Sequence, residues 1–154
     1  VMRHRYGAKN PVLAEVASAT VIEVGDLIRL VSNKAVNFGG TASAYGINSV
    51  ADDFLGVSMQ ASATGETTPV RVATTGTFEY ACSGASVYLG YGVIPTKGAT
   101  YYEDQTVAAV SAISNSCIGY AQPSNVGGVG HGAGNPTSCL VTINSNVLGG
   151  KIDA

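Results

Sequence analysis

Short β-favouring runs, each closed off by Gly, Asn, Asp, Ser or Pro, recur down the whole chain. That spacing is what a sandwich or barrel requires and what alternating strand and helix does not produce. Strands are expected near residues 19–24, 27–31, 53–59, 68–74, 76–81, 86–90, 106–110, 117–122 and 138–144. The clearest signal runs from Thr68 to Tyr80. Val70 and Val72 alternate there with Arg71 and Ala73, and beyond Gly76 the pair Phe78 and Tyr80 alternates with Thr77 and Glu79, so one face is core and the other wet. No segment carries a helical stripe over more than two turns. Asn10-Pro11 can open a short helix through Val16, with Asn as cap and Pro in the first position. An extended arm fits better, because the β-branched run from Val16 to Val24 restricts rotamers in a helix and favours strand. Residues 1–18 are therefore read as an N-terminal arm and 19–154 as one all-β domain, a small barrel or sandwich with long loops. A chain of 154 residues buries about 70% of its unfolded surface, enough to fold without disulfide or metal.

Three pieces of sequence recur in order and point to an internal duplication. Gly25-Asp26-Leu27-Ile28-Arg29-Leu30 returns in outline as Gly84-Ala85-Ser86-Val87-Tyr88-Leu89. Leu55 to Gln60 returns as Ile118 to Pro123, and Thr68 to Val72 as Ser138 to Thr142, with the Gly-rich insert 127–135 lengthening the second copy. Two related strand-loop-strand units can bury their apolar faces against each other. The remaining stretches, Ser32 to Asp52 and Gln122 to Thr137, read as long loops, which in a compact domain serve function.

Charged residues make up 12% of the chain against about 25% in an ordinary domain, so small polar and apolar side chains must cover much of the surface. Such a surface suits contact with other proteins. A formal net charge of −2 gives no electrostatic case for nucleic acid or anionic membrane. There is no apolar run long enough for a transmembrane helix, and the first twenty residues lack the order of a secretory signal. Cys82, Cys117 and Cys139 match no zinc or disulfide pattern and read as buried free thiols.

Catalytic patterns fail on context. The run Gly127 to Pro136 leads into a strand and lacks the Gly-Lys-Ser ending of a phosphate loop. His4 and His131 are the only histidines, without metal-ligand spacing, and no cofactor is expected. No Gly-x-Ser-x-Gly elbow is present. Asp52-Asp53 and Glu103-Asp104 sit at expected strand ends and read as solvated turn residues, with paired acid/base carboxylates or a calcium site the lesser reading. The one concentration of charge is N-terminal: Arg3, His4, Arg5 and Lys9, with Tyr6, supply three of the eight Lys and Arg within nine residues. An arm of this kind can lie on a neighbouring subunit and add a strand to its sheet edge.

The stretch from Phe54-Leu55-Gly56-Val57 through Thr67-Thr68-Pro69-Val70-Arg71-Val72-Ala73-Thr74-Thr75-Gly76-Thr77-Phe78-Glu79-Tyr80 resembles the tailed-phage capsid decoration, or cement, proteins of the lambda head decoration type. Asn10-Pro11, Val21 to Leu27, Ile118-Gly119 and Val141-Thr142-Ile143 are similar to landmarks of related cement domains. The resemblance implies a non-enzymatic, usually trimeric β-rich knob on the capsid exterior that binds the major capsid protein. It implies that the arm docks on that shell, through Arg3, His4, Arg5, Tyr6, Lys9 and Asn10. The insert departs from the lambda type, and Val129, His131 and Asn135 are the expected contacts of an outer loop. The alternative is a carbohydrate- or cell-surface-binding module, a head fibre or adhesin-like domain, with Tyr88, Tyr91, Tyr101 and Tyr102 as its platform. A hydrolase using His131 is a distant third.

Overall fold

The computed structural model describes residues 2–6, 8–40, 46, 51–82, 87–111, 117–122 and 138–148. The fold is all-β. Its strands are β1 (Arg3–Tyr6), β2 (Pro11–Ala14), β3 (Leu27–Val31), β4 (Lys34–Asn37), β5 (Phe54–Ser58), β6 (Val70–Ala73), β7 (Thr75–Cys82), β8 (Gly92–Lys97), β9 (Tyr102–Val110), β10 (Gly119–Gln122) and β11 (Ser138–Asn144). They form two sheets, in the orders β1-β7-β11-β10-β8-β9 and β2-β6-β5-β3-β4. Parallel pairing of Ala81 with Thr106 and Cys82 with Val107 joins β7 to β9, so five strands of the first sheet close into a barrel. The second sheet is closed in the same sense just beyond β2. Val16 and Ala35 form a parallel bridge, in which the Ala35 N–H donates to the Glu15 carbonyl at 2.7 Å and the Ala17 N–H to the Ala35 carbonyl at 3.2 Å.

The two closed sheets are copies of one another, strand for strand. Their orders correspond when β2, β6, β5, β3 and β4 are matched to β7, β11, β10, β8 and β9. The registers correspond too. Val57 lies between Leu27 and Ala73 as Tyr120 lies between Gly92 and Thr142, and Pro11 faces Ala73 as Thr77 faces Thr142. The turns before β3 and β8 carry the same bonds. Gly25 donates to the Ser58 carbonyl and Ser58 to the Asp26 carbonyl, while Gly90 donates to the Ala121 carbonyl and Ala121 to the Tyr91 carbonyl. Gly25 and Gly90 both hold a left-handed backbone, φ 100° and 83°, which glycine adopts without strain.

The expected duplication therefore holds with two corrections. The counterpart of Gly25 is Gly90 and not Gly84, which lies outside the described residues, because the turn hydrogen bonds fix the match. Val70 corresponds to Cys139 and not to Leu140, a slip of one residue that would turn every side chain to the wrong face. Leu55–Ser58 and Ile118–Ala121 match as expected.

Taking the β2-β6-β5-β3-β4 barrel as the first in chain order and the β7-β11-β10-β8-β9 barrel as the second, one core fills the second barrel and continues into the first. Phe78, Tyr80, Val93, Val107, Ile118 and Val141 pack in a single cluster with Leu27, Phe38, Phe54 and Val57. A separate cluster of Val16, Ile22, Ile28, Ala35, Leu55, Val70 and Val72 fills the inside of the first barrel. β5 lies between the two clusters, which is why Phe-Leu-Gly-Val-Ser is buried at all five positions instead of alternating. Each of these large side chains contributes about 1.5–3 kcal/mol on burial.

Four segments differ from the sequence expectation. Residues 19–24 contribute only the Ile22–Ser62 bridge. Residues 87–90 are irregular and turn, and the strand follows them as β8. β4 lies inside the stretch expected to be loop. The expected arm is extended, but Arg3–Tyr6 and Pro11–Ala14 each pair within this chain, with β7 and β6 respectively. Among the described residues no helix is long and apolar enough to cross a membrane.

Candidate functional site

The N-terminal basic cluster is built into the second barrel's edge. Arg3 faces Glu79 and His4 faces Phe78 across the β1–β7 ladder, and the imidazole packs edge-on against the Phe78 ring at 5.2 Å. Arg3 is exposed and His4 half-buried. Arg5 and Tyr6 continue the strand. Lys9 acts through its backbone: its carbonyl accepts from the Thr74 N–H at 2.9 Å and the Thr75 N–H at 3.2 Å. Asn10 has φ 40°, and its carbonyl accepts from the Thr74 hydroxyl at 2.7 Å. Of the six residues expected to form one docking arm, the last two thus lie in the link between β1 and β2. Val129, His131 and Asn135 lie outside the described residues.

A polar recess of about 420 Å³ opens where the two barrels meet, lined by Val21, Glu23, Asp26, Asn37 and the β9 residues 103–106. The turn before β3 forms one wall. The Glu23 N–H donates to Asp26 Oδ2 at 2.8 Å, the Gln105 amide donates to Asp26 Oδ1 at 2.9 Å, and the Tyr80 hydroxyl donates to the Gly25 carbonyl at 2.9 Å from inside the second barrel. Burial first, and the Asp26 charge second, raise the Tyr80 hydroxyl well above the usual tyrosine range. Asp104 forms the opposite wall and accepts the Gly39 N–H. Burial is the main cause that pushes its carboxyl up to about 6; the Gly39 bond opposes this, and the charges of Asp26, Glu103 and Glu23 reinforce it.

Glu103 and Asp104 are therefore strand residues of β9, and Asp104 is half-buried against the first barrel, not a solvated turn residue. Asp53 also departs from that expectation, pairing with Arg29 at 3.3 Å, while Asp52 is exposed. The recess gathers four carboxyl groups, those of Glu23, Asp26, Glu103 and Asp104. Among the described residues, however, no three His, Cys, Asp or Glu side chains are grouped to hold a metal ion. This juxtaposition escapes sequence reading, because Asp26 and Asp104 belong to different copies of the barrel.

The aromatic set expected as a platform separates. Tyr88 and Tyr91 pair at 5.1 Å, and Tyr88 and Tyr101 are exposed. Tyr102 belongs to the core, edge-on to Phe38. The cysteines are free, with Cys117 and Cys139 buried and Cys82 half-buried. A hydrogen bond between the Cys82 and Cys139 thiols lowers Cys82, and the same bond with burial raises Cys139 strongly. No protein-family model and no curated protein matches this chain.

Proposed function

We propose that this chain is a non-enzymatic capsid cement protein that binds the major capsid protein on the outside of the shell. The observation that carries the reading is a surface short of ionic groups on which large apolar side chains stand open. Leu13, Leu89, Leu148, Val24 and Tyr101 are each more than half exposed, on a chain with only 12% charged residues. Apolar burial against a protein lattice removes that surface from water, at about 25 cal/mol per Å². The β-rich build and the sequence resemblance support the same reading. Arg3, one of the residues proposed to dock, is exposed on β1.

Co-sedimentation of the purified chain with shells that lack it tests the proposal. Saturable binding that persists at high ionic strength is expected, because apolar contacts are not screened by salt. No binding at any salt concentration would reject it. The Tyr88–Tyr91 pair favours a second reading, a carbohydrate-binding module, and retention on a glycan array without shell binding would select it.

A further inference from the structure

Two of the three cysteines meet where the second barrel closes. Cys82 pairs in parallel with Val107 at the β7–β9 seam, and Cys139 stands opposite Tyr80 on β11. Two residues beyond Tyr80 on the same strand, Cys82 turns to the same face, and both cysteines pack in the core cluster. Their thiols are hydrogen-bonded to each other, and the Ala109 N–H also donates to the Cys82 sulfur. Cys117 stands apart: its carbonyl accepts from Asn146, beyond the far end of β11.

The duplication shows what packing alone asks of these two places. Val16 makes the parallel bridge that closes the first barrel, as Cys82 does in the second, and Val70 is the counterpart of Cys139. Both valines are buried in one apolar cluster. A cysteine serving only as a small hydrophobe would do no more than these valines do. Two thiols in contact add what a valine pair lacks, a bond that can form between them.

We propose that Cys82 and Cys139 are a reversible dithiol–disulfide site that reacts with small disulfides of the glutathione class. Cys82 is half-buried and Cys139 fully buried, so the reactant reaches Cys82 first. The Cys82 thiolate bonds to one sulfur of the reactant, whose own S–S bond breaks to release a thiolate. Cys139 then attacks the Cys82 sulfur, the mixed S–S bond breaks, and the second thiolate leaves. The reactant takes two electrons and two protons from the cysteines and departs as two thiols. The electrostatics favour this order. The bond from Cys139 lowers the Cys82 thiol; burial opposes it and the Ala109 N–H adds to it. Cys139 is raised first by its bond to Cys82, then by burial and by the Cys82 and Glu79 charges. Capping Cys82 removes its charge, which frees the buried thiol to react once its target is in place. A diagonal cross-strand pair stands near the upper limit of disulfide reach. Cys82 ends β7 one step past the last β7–β11 pair, Ala81 with Ser138, where a small shift closes the gap. The site does not rest on the shell-binding reading.

The full chain, reduced and then exposed to oxidised glutathione, tests the proposal by a count of free thiols in denaturant and by mass mapping of the linked peptides. Three thiols are expected to fall to one, Cys117, with Cys82 joined to Cys139 inside one chain. The melting temperature is expected to rise by about 5–10 °C on oxidation and to return on reduction. Cys139→Val is expected to stop with one glutathione on Cys82, and Cys82→Val to leave Cys139 unmodified in the native state. Both variants carry the residue that the first barrel uses and are expected to fold. Retention of all three thiols, a lasting glutathione adduct on the native chain, or a link through Cys117 or between chains would overturn the proposal. So would Cys139 reacting in Cys82→Val as fast as Cys82 does in the native chain. If a valine variant does not fold, the thiol count and peptide map of the native chain decide.

Discussion

Gly56 and Gly119 occupy the same position in the two barrels, and a Cβ at either would collide with a carbonyl oxygen of the next strand, Ala73 or Thr142. The shared constraint explains why Leu-Gly-Val and Ile-Gly-Tyr are the best preserved part of the duplication: only glycine lets these strands close. Asp104 is constrained by charge instead. An unfolded aspartate titrates near 3.9, and in the fold burial and neighbouring carboxylates lift this one to about 6. Between these values the native chain holds a proton that the unfolded chain has released. Stability therefore falls as pH rises from 4 through 6 and is level above. The side chain is half-exposed, and screening limits the effect to about 1 kcal/mol. Asp104→Asn is expected to raise the melting temperature at pH 8 and leave it unchanged at pH 4. Equal shifts at both pH values would show that Asp104 is ionised throughout.

Among the elements, the strands with alternating apolar residues were legible from sequence. β6 and β7 show it in Val70, Val72, Phe78 and Tyr80, and β11 in Val141 and Ile143, all buried as the pattern requires, but the face expected to be wet is not so throughout, since Ala73 and Thr77 are buried too. The illegible strands lack that pattern for physical reasons. β4 is Lys-Ala-Val-Asn, with one fully buried residue. β8 begins at Gly92 and contains Pro95, two residues that ordinarily mark turns. β1 is polar throughout and is held by β7 rather than by propensity. The recess between the barrels was illegible because its walls come from the two copies. Closure of the first barrel rests on a single bridge at Val16, fully buried. Val16→Ala is expected to cost about 2 kcal/mol and to speed exchange of the Ala17 and Ala35 amides before others. Uniform protection across the sheet would show that closure lies elsewhere.

At the scale of the molecule, the continuous cluster running from Leu27 and Phe54 to Val107 and Ile143 makes the barrels one cooperative body. Tyr80 reaches out of the second barrel to the Gly25 carbonyl in the first. Tyr80→Phe leaves that carbonyl unsatisfied, so a loss of about 1–3 kcal/mol is expected, in one calorimetric transition and not two. Two separated transitions would refute the shared core. β10 and β11 are adjacent antiparallel partners in register from Gly119–Ile143 to Gln122–Leu140, and the segment joining them answers to the shorter link between β5 and β6. Doubling such a link costs only about 0.6 kcal/mol in closure entropy. The seam is thus a place where inheritance can splice in new residues, or an engineer a foreign epitope, while the ladder on either side stays in step.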